Sequence, residues 1–194
     1  MDLTRFHRPL GTTGLRVSPI GLGTVKFGRN QSVAYPNPFD LPDDGAVVRL
    51  LTEAQSLGIN LLDSAPAYGT SEARLGKLLP DRKDWIICSK VGEAWDTSGS
   101  RFDFSPEGIR VSVARSLDHL RTDVLDIVLV HSDGGNIEQQ PEAALGALAE
   151  LKAQGLARAI GFSAKTAAGV QRSAALADVL MATYTPAEPD VLAA

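Results

Sequence analysis

Four residues with the means for acid-base chemistry stand at or just beyond the ends of short apolar runs. Asp63 closes Ile59-Asn60-Leu61-Leu62-Asp63, and the chain continues through Ser64-Ala65-Pro66-Ala67 to Tyr68. Lys90 closes Trp85-Ile86-Ile87-Cys88-Ser89-Lys90, and His131 closes Ile127-Val128-Leu129-Val130-His131. A charge at the end of a buried strand is costly unless it is paired or used. A phenol ordinarily titrates near pH 10, and an ammonium held beside it by a carboxylate would lower that value. Such a phenol is a usable general acid, and a neutral histidine beside it could hydrogen-bond and orient a carbonyl oxygen.

The runs that carry these groups are rich in Ile, Val and Leu and are separated by helix-like stretches, the pattern of buried parallel strands. Parity puts Ile59, Leu61 and Asp63 on one face, as it does Ile86, Cys88 and Lys90, and Ile127, Leu129 and His131. If those faces converge, Asp63, Lys90 and His131 meet.

A single unit recurs along the chain: strand, loop, helix, turn. Residues 10–17 read as a small glycine-containing hairpin ahead of a first strand at Ile20-Gly21-Leu22-Gly23. The proline-bearing stretch from Lys26 to Asp44 reads as a long irregular loop. Asp43 or Asp44 caps a helix through Val47, Leu50, Leu51, Ala54 and Leu57 that ends at Gly58. Ser71 opens a helix stopped by Pro80, and Ser105-Pro106 opens another. Pro141 leads a helix closed by Gly155, and a weaker one spans about Ala167 to Leu176. Further strands are expected at Leu125 to Val130, Ala159 to Ser163 and Val179 to Tyr184.

Six successive strand-helix units imply an α/β protein with a parallel sheet, either an open doubly wound sheet or a (β/α)8 TIM-barrel type. A dinucleotide-binding doubly wound sheet would carry Gly-x-Gly-x-x-Gly, whereas Gly21-Leu22-Gly23-Thr24-Val25-Lys26 lacks the third glycine. Ionisable groups at the ends of several strands favour the barrel, with about six of its eight units present.

Composition narrows the partners. The 194 residues are 44% hydrophobic, with 19 Lys+Arg against 23 Asp+Glu and a net charge of -4. The balance fits one globular domain and gives no reason to expect nucleic acid or a membrane surface. The polar start and the single cysteine, Cys88, lead to an expectation of a cytoplasmic protein without disulfides. No metal is expected.

Asp63-Ser64-Ala65-Pro66-Ala67-Tyr68-Gly69, Ser71-Glu72, Leu75-Gly76, Ser89-Lys90-Val91 and Leu129-Val130-His131 resemble the strand-end motifs of the aldo-keto reductase superfamily. Leu10 to Leu15 and Val17 to Thr24 are similar to the family's N-terminal hairpin and first strand, and the likeness runs from about Pro9 to Tyr184. The resemblance implies one incomplete barrel domain over residues 1–194 and NADP(H)-dependent interconversion of aldehydes or ketones, sugars among them, with alcohols. NAD(H) is the alternative cofactor. It implies that Tyr68 is the proton donor, that Lys90 lowers its pKa, that Asp63 pairs with Lys90, and that His131 orients the carbonyl. Gly23, Thr24, Asp63, Ser163 and Lys165 are the implied cofactor contacts. Where the family usually shows Ser-Asn and a strand-six Gln, this chain has Ser163-Ala164-Lys165 and Met181. Open barrel edges would favour self-association. Two other readings are a non-catalytic, partner-binding barrel remnant and a Schiff-base aldolase acting through Lys90.

Overall fold

The computed structural model describes residues 4–33 and 35–185. A short antiparallel hairpin of β1 (Arg8–Pro9) and β2 (Arg16–Val17) comes first and buries Leu15. Strand β3 (Gly21–Gly23) leads into a helical turn α1 (Val25–Gly28), then α2 (Asp44–Ser56), β4 (Leu61–Asp63), α3 (Ser71–Leu78) and β5 (Ile86–Val91). A second hairpin, β6 (Glu93–Asp96) with β7 (Gly99–Phe102), precedes α4 (Pro106–Leu120) and β8 (Leu125–His131). The remainder is α5 (Glu142–Ala153), β9 (Ala157–Ala164), α6 (Ala167–Ser173) and β10 (Val179–Ala182).

Six of these strands form one parallel sheet in the order β3-β4-β5-β8-β9-β10. Every strand lies beside its predecessor, and a helix fills each crossover. Right-handed crossovers that always advance in one direction keep all the helices on one face. A doubly wound sheet would reverse direction at its middle, so the winding is that of a barrel wall.

Alternation then separates two cores. Leu62, Ile87, Val128, Val130, Ile160 and Phe162 turn outward and pack with Val47, Leu51, Leu75, Ile109, Val113 and Leu148 of the helices. Cys88, Ile127, Leu129 and Ala159 turn inward and cluster with Leu15, so the first hairpin floors the inner face.

Local chemistry sets the helix ends. Asp43 Oδ1 accepts from Ala46 N at 2.6 Å to start α2, and Ser105 Oγ accepts from Gly108 N at 3.0 Å to start α4. Several expectations are corrected. Residues 26–44 are not wholly irregular, because α1 forms where Thr24, Phe27 and Arg29 close short backbone bonds. Ser71 does not cap α3. Its hydroxyl is spent on Thr24, and Thr70 is the cap residue without a side-chain bond. The helix α6 stops at Ser173, whose hydroxyl bonds back to Gly169 O at 2.6 Å, and β10 ends at Ala182.

Candidate active site

The carboxyl ends of β3, β4, β5 and β8 converge, and their positions are fixed from below. Thr24 is fully buried. Its N–H and hydroxyl both donate to Asp63 O, at 2.9 and 2.8 Å. Ser71 Oγ donates to Thr24, and Ser64 Oγ lies 3.1 Å from Ser71 Oγ, so three hydroxyls tie the end of β4 to α3. Tyr68 sits on the 3-10 turn Pro66–Tyr68. Gly69 follows at φ 63, and the backbones of Gly28 and the Tyr68–Ser71 turn approach so closely that neither glycine has room for a Cβ. The phenol is thereby fixed by backbone packing.

Lys90 carries the densest set of contacts. Its side chain is 2% exposed, and Nζ donates to Asp63 Oδ1 at 2.5 Å, to Ser64 O at 2.9 Å and to Tyr68 OH at 3.3 Å. Tyr68 OH lies 3.4 Å from Asp63 Oδ2, at the far end of hydrogen-bond range. Burial would push the lysine down, but Asp63 above all, with Cys88 and Tyr68, outweighs it and holds Lys90 above its ordinary value. Lys90 is therefore an ammonium.

The phenol's direction differs from the expectation. Lys90 does pull Tyr68 down, but burial is the larger influence and Asp63 adds to it, so Tyr68 lies above the ordinary tyrosine value. It keeps its proton at neutral pH, which suits donation better than abstraction.

His131 stands edge-on to Tyr68, with ring centroids 6.3 Å apart and an interplanar angle of 88°. Its buried Nδ1 lies 2.9 Å from Glu93 Oε2, a close contact without the alignment of a hydrogen bond. Glu93 Oε1 accepts from Ser100 Oγ at 2.7 Å. Burial pushes the Glu93 carboxyl up, but the His131 and Ser100 side chains and the Arg29 charge outweigh it and hold it below the usual range.

Asp63, Tyr68, Lys90 and His131 are thus brought together. Among the expected cofactor contacts, Gly23 pairs in register with Asp63 and has open space where a Cβ would stand. Ser163 pairs in register with His131 and Met181, and its hydroxyl has no partner among the described residues. Thr24 is a buried brace. Lys165 is exposed past the end of β9. Its N–H donates to the buried Glu138 Oε1 at 2.7 Å, and Thr166 Oγ1 donates to Oε2 at 2.6 Å. An open glycine, an uncommitted hydroxyl and a histidine on one face suit a flat polar ring such as a nicotinamide.

A cleft of about 430 Å3 opens onto this group, lined by Arg29, Ser32, Tyr35, Tyr68, Glu93 and His131 among others. Two of its walls were missed in the sequence. Glu93 lies on β6, a hairpin for which no alternation stood out. Arg29 donates to Ala67 O at 2.9 Å and to Gln31 O and Ser32 O, with its guanidinium 4.7 Å from the Trp95 ring. It is a strap, and burial lowers its pKa despite the opposing pull of Glu93 and Tyr68. Glu72 belongs to the Ser71-Glu72 motif and has no catalytic role implied by the sequence. Its buried carboxyl accepts from Ser89 Oγ at 2.5 Å, and burial pushes it up. Among the aromatic side chains, Tyr35 lines the cleft, Trp95 covers Arg29, and Phe102 and Phe104 pack on each other.

A singly wound parallel sheet with polar groups gathered at its strand ends defines a (β/α)-barrel enzyme architecture. The family model of the Aldo/keto reductase family matches residues 19–186, and the chain belongs to that family. L-galactose dehydrogenase of Arabidopsis thaliana is 38% identical over 163 residues, covering 80% of this chain and 47% of that protein. The NADH-specific methylglyoxal reductase of Escherichia coli is 36% identical over 168 residues, covering 79% and 50%. A solved structure assigned to the aldo-keto reductases of Pseudomonas aeruginosa superposes with a TM-score of 0.88 at 48% identity, covering 99% of this chain and 72% of that one. The holo form of aldo-keto reductase AKR11C1 from Bacillus halodurans gives 0.77 at 30% identity, covering 92% and 57%. The chain spans about half the length of the curated relatives it matches. No helix among the described residues is long and apolar enough to cross a membrane.

Proposed function

We propose that this chain carries the proton-transfer site of an NADP(H)-dependent reductase that interconverts small aldehydes, ketones or sugars with the corresponding alcohols, with NAD(H) as the alternative cofactor. The observation that carries the reading is the Asp63–Lys90–Tyr68 cluster facing His131 across one cleft. When bound, the nicotinamide supplies hydride to the carbonyl carbon. Tyr68 gives its proton to the carbonyl oxygen, and the Lys90 ammonium, fixed by Asp63 and Ser64 O, stabilises the phenolate left behind. With Nδ1 against Glu93, His131 offers Nε2 to the substrate oxygen. Gly23 leaves room for the ring, and Ser163 and Lys165 offer polar groups to it and to its phosphates.

A Schiff-base aldolase needs Lys90 with a free lone pair, and an ammonium clamped by a carboxylate has none. The half-length match is what favours the other reading, a partner-binding remnant. The test is absorbance-monitored NADPH and NADH oxidation by the full-length gene product with methylglyoxal, simple aldehydes and aldoses. Turnover with NADPH is expected to exceed that with NADH. A folded protein that turns over none of these with either cofactor sinks the proposal, and calorimetry showing no NADPH binding would then leave the remnant reading.

A further inference from the structure

Beyond the groups of the proposed proton transfer, a buried carboxylate joins two strand ends of the mouth. Glu138 stands on the 3-10 turn Asn136–Glu138, in the loop that follows β8, and is 1% exposed. Lys165 N–H donates to its Oε1 at 2.7 Å, and Thr166 Oγ1 donates to Oε2 at 2.6 Å. Thr166 Oγ1 in turn accepts from Gly169 N at 3.0 Å. A Cβ at Gly169 would collide with Glu138 Oε2, so α6 closes directly on the carboxylate. Burial pushes Glu138 up, but the Lys165 N–H and the hydroxyls of Ser132 and Thr166 outweigh it and hold it below the usual carboxylate range. A nearly dry carboxylate is costly, and these donors offset that cost only while both loops keep their places.

The strand geometry shows what the carboxylate replaces. β8 ends at His131, which pairs in register with Ser163 of β9, and Ser132 N donates to Ser163 O at 3.2 Å just past that end. Backbone groups of a strand point to alternate sides, so Lys165, two residues beyond Ser163, faces the same side, where β8 no longer supplies a carbonyl. Glu138 Oε1 supplies the acceptor instead. Without it, the end of β9 past Ser163 would rest on β10 alone, through the pairing of Ala164 with Ala182. Resting on the reductase reading, we propose that Glu138 is a positioning residue of the nicotinamide seat: it ties the end of β9 to the loop after β8 and so holds the Ser163 hydroxyl beside His131 at the mouth. That hydroxyl has no partner among the described residues. Fixing it before the ring arrives removes an ordering cost from binding.

The test separates the nicotinamide from the rest of the cofactor. Calorimetry on the full-length gene product compares NADPH with 2′-phospho-ADP-ribose, which lacks the nicotinamide. Glu138→Met keeps the volume and removes both acceptors. It is expected to weaken NADPH binding by about tenfold, the scale of one buried hydrogen bond left unmade, and to leave 2′-phospho-ADP-ribose binding unchanged. Glu138→Gln keeps a carbonyl for the Lys165 N–H and an amide N–H for Thr166 Oγ1, and should bind NADPH within about twofold of the parent. In a Ser163→Ala background the methionine substitution is expected to have no further effect, because Glu138 acts through that hydroxyl. Amide exchange without cofactor reads the tie itself: the Lys165 N–H is protected in the parent and in Glu138→Gln, and exchanges fast in Glu138→Met. Thr166→Val removes one of the two donors and leaves the carboxylate in place. It serves where the methionine variant fails to fold, with a smaller loss confined to NADPH. Equal weakening of both ligands, an undiminished effect beside Ser163→Ala, or an unchanged Lys165 exchange rate overturns the proposal. A parent that binds no NADPH sinks the reductase reading, whereas a parent and a Glu138→Met variant that bind it equally sink only the role of Glu138.

Discussion

The outer and inner faces of one six-stranded sheet are built from alternate residues of the same strands, yet they differ in what they contain. The outer face is mostly hydrocarbon: Leu62, Ile87, Val128, Val130, Ile160 and Phe162 are at most 4% exposed and are locked against helices, and the buried polar groups among them are partnered, Ser89 with Glu72 and Asp126 with Arg82 and Arg158. The inner face has a small apolar floor of Cys88, Ile127, Leu129 and Ala159, and above it Asp63, Lys90 and His131. A strand period of two separates packing from chemistry, so a substitution on one face can leave the other's property intact.

The largest effect expected is on the inner face. Tyr68→Phe removes the proton donor while keeping the ring, and kcat should fall by about 10²–10⁴-fold with the melting temperature nearly unchanged. Because burial holds the Tyr68 pKa up, the donor form persists through neutral pH and is lost only as pH rises past the ordinary tyrosine value of about 10. The reduction rate should therefore be flat near neutrality and fall on the alkaline side. A decline centred below about pH 8 would contradict that sign. Phe162→Ala is the outer-face counterpart: about 3–5 kcal/mol lost in urea unfolding, with kcat per folded molecule preserved. Should Phe162→Ala depress kcat per folded molecule as Tyr68→Phe does, the faces are not independent.

The same period made much of this legible in the sequence. Asp63, Lys90 and His131 were readable because each ends an apolar run at the same parity, and buried parallel strands permit little else. Ser105-Pro106 and Gly58 marked helix ends because capping and left-handed turns demand particular residues. Glu93 and Arg29 were not readable. Their positions depend on how the β6–β7 hairpin and the strap after α1 fold over the mouth, which is tertiary and leaves no local period. Tyr68 shows a third case: its place was legible and its pKa direction was not, because burial opposes Lys90 and only the assembled site shows which is larger.

A sharper probe lies within the inner face, where Asp63 and Lys90 are unequally buried. Lys90 is 2% exposed and Asp63 is 26% exposed. Asp63→Ala strands an ammonium in a nearly dry site, and a loss of about 3 kcal/mol is expected. Lys90→Met fills the same space with an apolar stem and leaves a carboxylate that still reaches water, so its stability should change by less than about 1 kcal/mol. Both variants should lose turnover. Equal destabilisation by the two, in parallel urea titrations, would mean that the pair is hydrated alike at both ends.

The smallest expected effect tests whether the inner floor is a core at all. Cys88 is 4% exposed beneath Lys90 and Asp63, and burial pushes its thiol up to about 12. At pH 9 about one thiol in a thousand would be ionised even if a reagent could reach it, since each pH unit below the pKa costs a factor of ten. Iodoacetamide should thus leave the folded protein unlabelled, and labelling should appear only along the urea unfolding curve. Labelling under native conditions would show that water enters from the sheet's terminal strands and wets the inner face. The separation between a packed outer layer and a reactive inner one would then extend to the bottom of the sheet, with the helix-covered face alone holding the fold.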